Sequence, residues 1–220
     1  MNFKRARSED QIRDRKKEIM DATSFLYDRS GYGELSFSAI SEYTKFTRPN
    51  IYKYFKTKEE ILLEILKEDI KSFIITFTHS FKLNKLYSLD EIADIWTSNL
   101  LKHERFLNIY SILFTSIEKN VSLSALTEFK KESITLYNQL VDCFSQLFPE
   151  INERKLYNSV STLLVLACGL YSMNNLSNIQ TQALKLSGLE YTIPDFSSTY
   201  VECCYQQLYC LKHTIELPKE

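Results

Sequence analysis

Glycine and proline are scarce, with 4 of each in 220 residues, about 4% against an average near 12%. That excludes collagen-like, Gly/Ser-linker and proline-rich disordered chains. It also argues against a β-sandwich or barrel, which needs many turn residues. The five cysteines, Cys143, Cys168, Cys203, Cys204 and Cys210, form no C-x-x-C pair, and no histidine stands at metal spacing from them. A zinc site is therefore not expected. Their odd number, with Cys168 inside the apolar run Leu163–Tyr171, reads as reduced, buried thiols of a cytosolic protein. No stretch reaches 18 apolar residues and the start shows no signal-peptide pattern, so a soluble cytoplasmic protein with no membrane partner is expected. Gly-rich phosphate loops, G-x-S-x-G and H-E-x-x-H are missing, and the three histidines, His79, His103 and His213, lie in no motif. The expectation is no enzyme, no metal and no cofactor.

What is present is a hydrophobic fraction of 44% with 25% charged residues, ordinary for a chain that buries a real core. The net charge of −1 hides an asymmetry: residues 1–60 hold 13 Lys/Arg against 10 Asp/Glu, and the remainder is acidic. A basic segment on an acidic body suggests a polyanion partner for the first part only. A solvated charged face explains the same numbers until a motif is found.

Helical periodicity dominates, and the expected fold class is all-α. Leu62, Leu66, Ile70, Phe73, Phe77 and Phe81 are spaced as one stripe of a helix. At about 24 residues it spans about 36 Å. Thr57-Lys58-Glu59-Glu60 reads as a capping box at its start. Upstream, Ser8 caps a first helix that Gly31 and Gly33 stop. Ser36 caps a short second helix to about Tyr43, and Thr47 a third to about Tyr54, with Pro49 in its first turn. Downstream, helices are expected over Leu89 or Asp90 to His103, Phe106–Ile117, Ser124–Phe148, Asn152–Leu176 and Ser197–Thr214. Residues 177–196 read as a loop with one helical turn. Repeats and low-complexity tracts are absent.

Ser36–Phe55 carries the functional signal. Two short helices flank a turn at Thr44-Lys45-Phe46, with Phe37, Ile40, Phe46, Ile51 and Phe55 placed to pack between them. That is a helix-turn-helix pattern, whose second helix exposes Arg48, Asn50, Tyr52 and Lys53 to phosphates and base edges. A plain helical hairpin is the competing reading of the pattern alone.

Gly31-Tyr32-Gly33, Ser36, Ile40 and the run Thr47–Ile61, with its Tyr52-x-Tyr54-Phe55-x-x-Lys58-Glu59 core, resemble the DNA-binding domain of the TetR family. Its members are bacterial, ligand-responsive transcriptional regulators, usually repressors. The resemblance covers about residues 12–65. It implies a helix-turn-helix domain at 1–57 and a helical effector-binding and dimerisation domain at 58–220. Ser36, Thr47, Arg48, Asn50, Tyr52, Lys53, Tyr54 and Lys58 are the implied DNA-binding residues. Thr47 caps the recognition helix and either touches a phosphate or only caps. Tyr52 and Tyr54 either reach DNA or pack as core aromatics. Lys58 meets phosphate beside a helix N-terminus. Lys4, Arg5 and Arg7 form either an arm that reaches DNA or a solvated tail. The chain departs from the family at Tyr43-Thr44-Lys45-Phe46, with lysine where glycine is usual. An adaptor of the same fold that has lost specific DNA binding is the alternative function.

The resemblance further implies a homodimer on a palindromic operator. Its seam is expected on the last two long helices, through Leu156, Val160, Leu164 and Tyr171 and through Val201, Cys204, Leu208 and Leu211. Stripes that face only the internal core are the other reading. Trp96, His103, Tyr110, Phe114 and Tyr137 fall on the helices that surround the family's effector pocket. They are either core residues or the lining for a small hydrophobic or aromatic effector. The helix from Lys58 to about Phe81 would then be the lever between effector and DNA.

Overall fold

The structure is a computed structural model that describes residues 9–82, 85–188 and 192–213. Among the described residues ten α-helices succeed one another: α1 (Glu9–Ser30), α2 (Phe37–Glu42), α3 (Arg48–Ile51), α4 (Lys58–His79), α5 (Leu89–Leu101), α6 (Glu104–Ser111), α7 (Leu123–Leu147), α8 (Glu153–Asn174), α9 (Asn178–Ser187) and α10 (Phe196–His213). No strand occurs among the described residues. The proposed arm residues Lys4, Arg5 and Arg7, and the proposed cap Ser8, lie outside the described residues.

The chain divides into two compact units, residues up to Glu68 with Ile112–Glu132, and Asp69–Ser111 with Ser133 onward. Helices α4 and α7 each contribute residues to both.

In the first unit, Ile19, Leu26, Leu35, Phe37, Ile40, Ile51, Phe55 and the first turns of α4 (Ile61, Leu62, Ile65, Leu66) are buried. Gly31 ends α1 at φ 74°, donating to the Tyr27 carbonyl at 2.8 Å, a left-handed position that suits glycine. The expected capping box at Thr57 is only half made. The Glu60 N–H donates to Thr57 Oγ1 at 3.2 Å, but the Glu60 carboxylate turns elsewhere. It accepts from the Lys56 N–H at 2.7 Å and from the Ser122 hydroxyl at 2.6 Å and N–H at 3.3 Å. Burial pushes that carboxyl up, yet these donors outweigh it and hold it below the usual glutamate value.

The expected helix over Phe106–Ile117 breaks. After α6, Ile112 leaves helical geometry (φ −104°, ψ 4°), and Leu113–Ile117 form a π-helical turn followed by a 3-10 turn. Such an extra residue in the helical ladder re-aims side chains. Leu113 and Ile117 are buried while Phe114 is turned out, 54% exposed, under the Lys130 ammonium at 5.2 Å.

The second unit is built around aromatic rings. Trp96 lies edge-on to Phe73, Phe77 and Phe144 at 5.1–5.5 Å and is fully buried. Its indole N–H donates to the Tyr200 hydroxyl at 2.7 Å, and that hydroxyl donates to the Leu163 carbonyl at 2.7 Å. One relay thus joins α5, α10 and α8 and satisfies both of its own buried donors. Asp69, nearly buried, is gripped by the Arg105 guanidinium through Nε at 2.8 Å and Nη2 at 2.6 Å. Asn99 ties α5 to α4, donating to the Phe73 carbonyl and accepting from Thr76.

Residues 177–196, read from sequence as a loop with a single helical turn, hold the ten-residue helix α9. The Ser177/Gln180 capping box and Gly188 at φ 66° bound it. The sequence carried both signals, but its polarity and the nearby Pro194 hid them.

Candidate nucleic-acid interface

The geometry of α2 and α3 follows from local bonds. The Ser36 hydroxyl accepts from the Ala39 N–H at 3.1 Å and starts α2, so Ser36 is first of all a cap. Tyr43 N–H closes α2 on Ile40. The unusual turn is then held by side chains. Thr44 Oγ1 accepts from the Phe46 N–H at 3.1 Å, and Glu18 of α1 accepts from the Lys45 N–H at 3.0 Å. Glu18 gave no sign of this role in the sequence, because only the fold brings it to the turn.

Thr47 occupies the N-cap position of α3 with extended backbone (φ −70°, ψ 154°), but its side chain makes no cap bond. The expected hydroxyl cap is corrected: the backbone carbonyl of Thr47 receives Asn50 and Ile51 instead. Pro49 sits in the first turn, where its missing N–H costs nothing. Helical bonding continues through Phe55, which donates to the Ile51 carbonyl.

Burial separates the two faces of this helix. Ile51 and Phe55 are in the core, while Arg48, Tyr52 and Lys53 are exposed and Asn50 is half-buried. The outward side chains brace one another. Lys53 Nζ donates to Asn50 Oδ1 at 2.8 Å, and the Arg48 guanidinium lies 5.8 Å from the Tyr52 ring. The Tyr52 ring rests edge-on against Phe37 at 4.6 Å, yet is 49% exposed. Tyr54 is half-buried and its hydroxyl accepts from Arg15 of α1 at 3.0 Å. Lys58 is half-buried as well, donating to the Tyr32 carbonyl at 3.1 Å over the Tyr32 ring. Tyr32 in turn donates to Glu59 at 2.7 Å. Burial and then the Glu59 carboxylate push the Tyr32 hydroxyl up to about 12.

Beside the exit of α3 lies a cleft of about 370 Å³. Lys16, Lys53 and Lys56 on its walls are balanced by Glu60, Glu64 and Glu128. That balance makes it no anion pocket. Arg48 lies outside this cleft, exposed on the outward edge of α3.

This sequence matches "Bacterial regulatory proteins, tetR family" over residues 19–65 and "Tetracyclin repressor-like, C-terminal domain" over residues 69–206. The chain belongs to the TetR family. It is thus a transcription regulator with a DNA-binding helix-turn-helix. No curated protein matches it. Among solved structures it is similar to the fatty acid degradation regulator FadR of Bacillus halodurans (15% identity, TM-score 0.54, 92% of this chain and 97% of that one). It is also similar to Thermus thermophilus FadR, a TetR-family repressor in complex with lauroyl-CoA (13%, TM-score 0.58, 93% and 97%). A TetR/AcrR-family regulator from Thermobifida fusca is similar too (19%, TM-score 0.53, 93% and 100%). These likenesses show the shared fold. TetR-family regulators bind DNA as dimers and are generally not enzymes.

The expected dimer seam is corrected. Leu156, Val160, Leu164, Tyr171, Cys204, Leu208 and Leu211 are all buried within the single chain, and Val201 is half-buried. Helix α10 packs against α5 and α8, and α6 against α8, so those stripes face inward. Outside, α8 leaves Tyr157 (44% exposed), Val165 (62%), Leu166 and Met173 (45%), interleaved with the exposed Asn158, Thr162 and Ser172 and beside the open Gly169.

The candidate effector residues do not form one set. Trp96 is sealed in the core, with no open face for a ligand. Phe114 belongs to the first unit and the other four to the second. Tyr137 is bonded to the Tyr157 carbonyl and Ser161 hydroxyl, both at 2.7 Å, stapling α7 to α8. Burial, opposed by the Ser161 bond, pushes its hydroxyl up to about 12. His103 bridges the Asn99 carbonyl and Ser72 hydroxyl, and Tyr110 is half-buried against Phe106. All five cysteines are free thiols. Burial raises Cys143 to about 11 and Cys168 and Cys204 to about 12; Cys210 is exposed, unlike the buried thiol expected of it. Among the described residues no group of three or more His, Cys, Asp or Glu could hold a metal ion.

Proposed function

We propose that this protein is a ligand-responsive transcriptional repressor that binds a palindromic operator as a homodimer. The observation that carries this reading is the division of α3. Ile51 and Phe55 lock it into the core while Arg48, Asn50, Tyr52 and Lys53 stand braced on its outer edge. A base-reading helix needs that arrangement. The altered turn, which motivated the adaptor alternative, is closed by Thr44 and Glu18. Selection of bound fragments from the source genome tests the proposal: they should share an inverted repeat, and their absence would overturn operator recognition.

The homodimer is best served by the outward stripe of α8. Helix α8 is apolar enough to cross a membrane by length and composition, but its inner half is buried in a soluble family's fold and a second copy accounts for its outer face. For the effector we propose a mostly apolar molecule held in the second unit by a few polar anchors. Three hydroxyls of that unit, Thr97, Ser133 and Ser159, are buried without a partner, and such groups call for a water or a ligand atom. Lauroyl-CoA, seen in the Thermus relative, is a suitable first probe. A rise in Tm together with release of operator DNA supports a long-chain acyl effector, and no change in either rejects it.

A further inference from the structure

We infer that Lys45, in the turn before α3, binds a phosphate of one DNA strand while Lys53, past the other end of α3, binds the opposite strand. This rests on the operator-binding reading above. The first observation is how firmly the turn is held. Thr44 Oγ1 accepts from the Phe46 N–H at 3.1 Å and donates to the Phe46 carbonyl at 3.2 Å. Glu18 Oε1 accepts from the Lys45 N–H at 3.0 Å, which ties the middle of the turn to α1. A side chain carried on a fixed backbone loses less freedom when it binds.

The second observation is the ammonium itself. Lys45 is exposed, and among the described residues it forms no ion pair or side-chain hydrogen bond. Lys17, Lys67, Lys85 and Lys130 are each paired with a carboxylate of this chain. The Glu18 carboxylate reaches the turn but takes the backbone N–H. A cation left to solvent is one that a phosphate can take up with release of counterions. Glycine, usual at this turn in the family, has no such group, so the contact is an addition made by this chain.

The third observation is spacing. Lys45 precedes Arg48, the first residue of α3, by three positions, and Lys53 follows Ile51, the last, by two. Chain geometry therefore puts their Cα atoms at most about 17 Å apart. The major groove is about 12 Å wide, so cations at the two ends of a helix lying in it meet the strands on either side. Asn50 and Tyr52 fall between them, at the level of the base edges. Phosphate contacts set the register that base contacts then read, and a contact at each end fixes the tilt of α3 as well as its depth.

The test compares wild type, Lys45→Ala and Lys45→Arg on an operator fragment selected from the source genome, between about 50 and 200 mM salt. Alanine keeps the N–H that Glu18 holds, so the variant loses the ammonium and keeps the turn. Lys45→Ala should bind all sequences several-fold more weakly and lower the slope of log K against log salt by about 1 or more. Lys45→Arg should restore both. Ethylation interference supplies the positional readout: within a half-site, Lys45→Ala should lose interference on one strand and Lys53→Ala on the other. A Lys45→Ala slope equal to wild type would overturn the inference, as would loss of interference at the same phosphates in both variants. A wild-type protein that retains no fragment with an inverted repeat defeats the operator reading instead, and the Lys45 contact with it.

Discussion

Helices α3 and α8 both turn a face outward, and the two faces have opposite chemistry. That of α3 is Arg48, Asn50, Tyr52 and Lys53, polar groups braced on one another. That of α8, from Tyr157 on, is Tyr157, Val165, Leu166 and Met173 with the uncharged Asn158, Thr162 and Ser172 among them, largely apolar and free of charge. A polyanion rewards the first through counterion release, and an identical apolar surface rewards the second through water exclusion. The partner class can therefore be read from what a helix leaves outside, provided the inside face is known.

The largest expected effect comes from a matched pair on α8. Val160→Asp places a charge where the side chain is fully buried and should cost several kcal/mol or prevent folding. Val165→Asp, one turn further on and 62% exposed, should leave the fold intact and convert a dimer to a monomer. Urea unfolding and sedimentation of both variants break the comparison if Val165→Asp remains dimeric, or if Val160→Asp folds as well as wild type.

The inner face of α8 can be probed more gently. Tyr200→Phe removes the hydroxyl that accepts from Trp96 and donates to Leu163. The indole N–H is then buried without a partner, at a cost of about 1–3 kcal/mol. A urea midpoint equal to wild type would show that the relay is incidental to the packing of α5, α8 and α10.

On α3 the expected change is smaller and shows in the salt dependence. Lys53→Ala should weaken all operator sequences alike and lower the slope of log K against log salt by about 1. Arg48→Ala should also relax base preference. A Lys53→Ala slope equal to wild type would remove that residue from the phosphate contacts.

The contrast between α3 and α8 also explains what the sequence disclosed. Polar and apolar positions alternate clearly on α2 and α3, so the buried set Phe37, Ile40, Ile51 and Phe55 could be separated from the exposed set. Helix α8 is apolar nearly all round, so periodicity marked two stripes and could not say which one the unit's own core takes. Trp96 was equally ambiguous, because an aromatic on a pocket helix and a core aromatic look alike until Tyr200 is seen beneath it. Partners distant in sequence stayed hidden: Glu18 at the turn, and Ser122 under Glu60.

Glu60 supplies the smallest and most specific prediction. The outward faces of α3 and α8 stand exposed, whereas Glu60 is satisfied within its own unit. It bonds the N–H of Lys56 just past α3 and both donors of Ser122 just before α7. Burial raises its carboxyl and the donors lower it, with the donors prevailing, so the folded value lies below the ordinary one. A depressed folded value means that the unfolded chain takes up the proton first as pH falls. The stabilisation is therefore full above the ordinary glutamate value of about 4.3 and fades as pH drops through the lower folded one. Glu60→Gln offers an amide nitrogen where one donor needs an acceptor, at every pH, and so should be less stable than wild type at pH 7. Urea midpoints of the two proteins, taken from pH 7 to pH 3, should converge toward the acid end, since the other carboxylates titrate in both and cancel. A gap that stays constant across that range would mean that shape, and not the charge of Glu60, holds the exit of α3 to the start of α7.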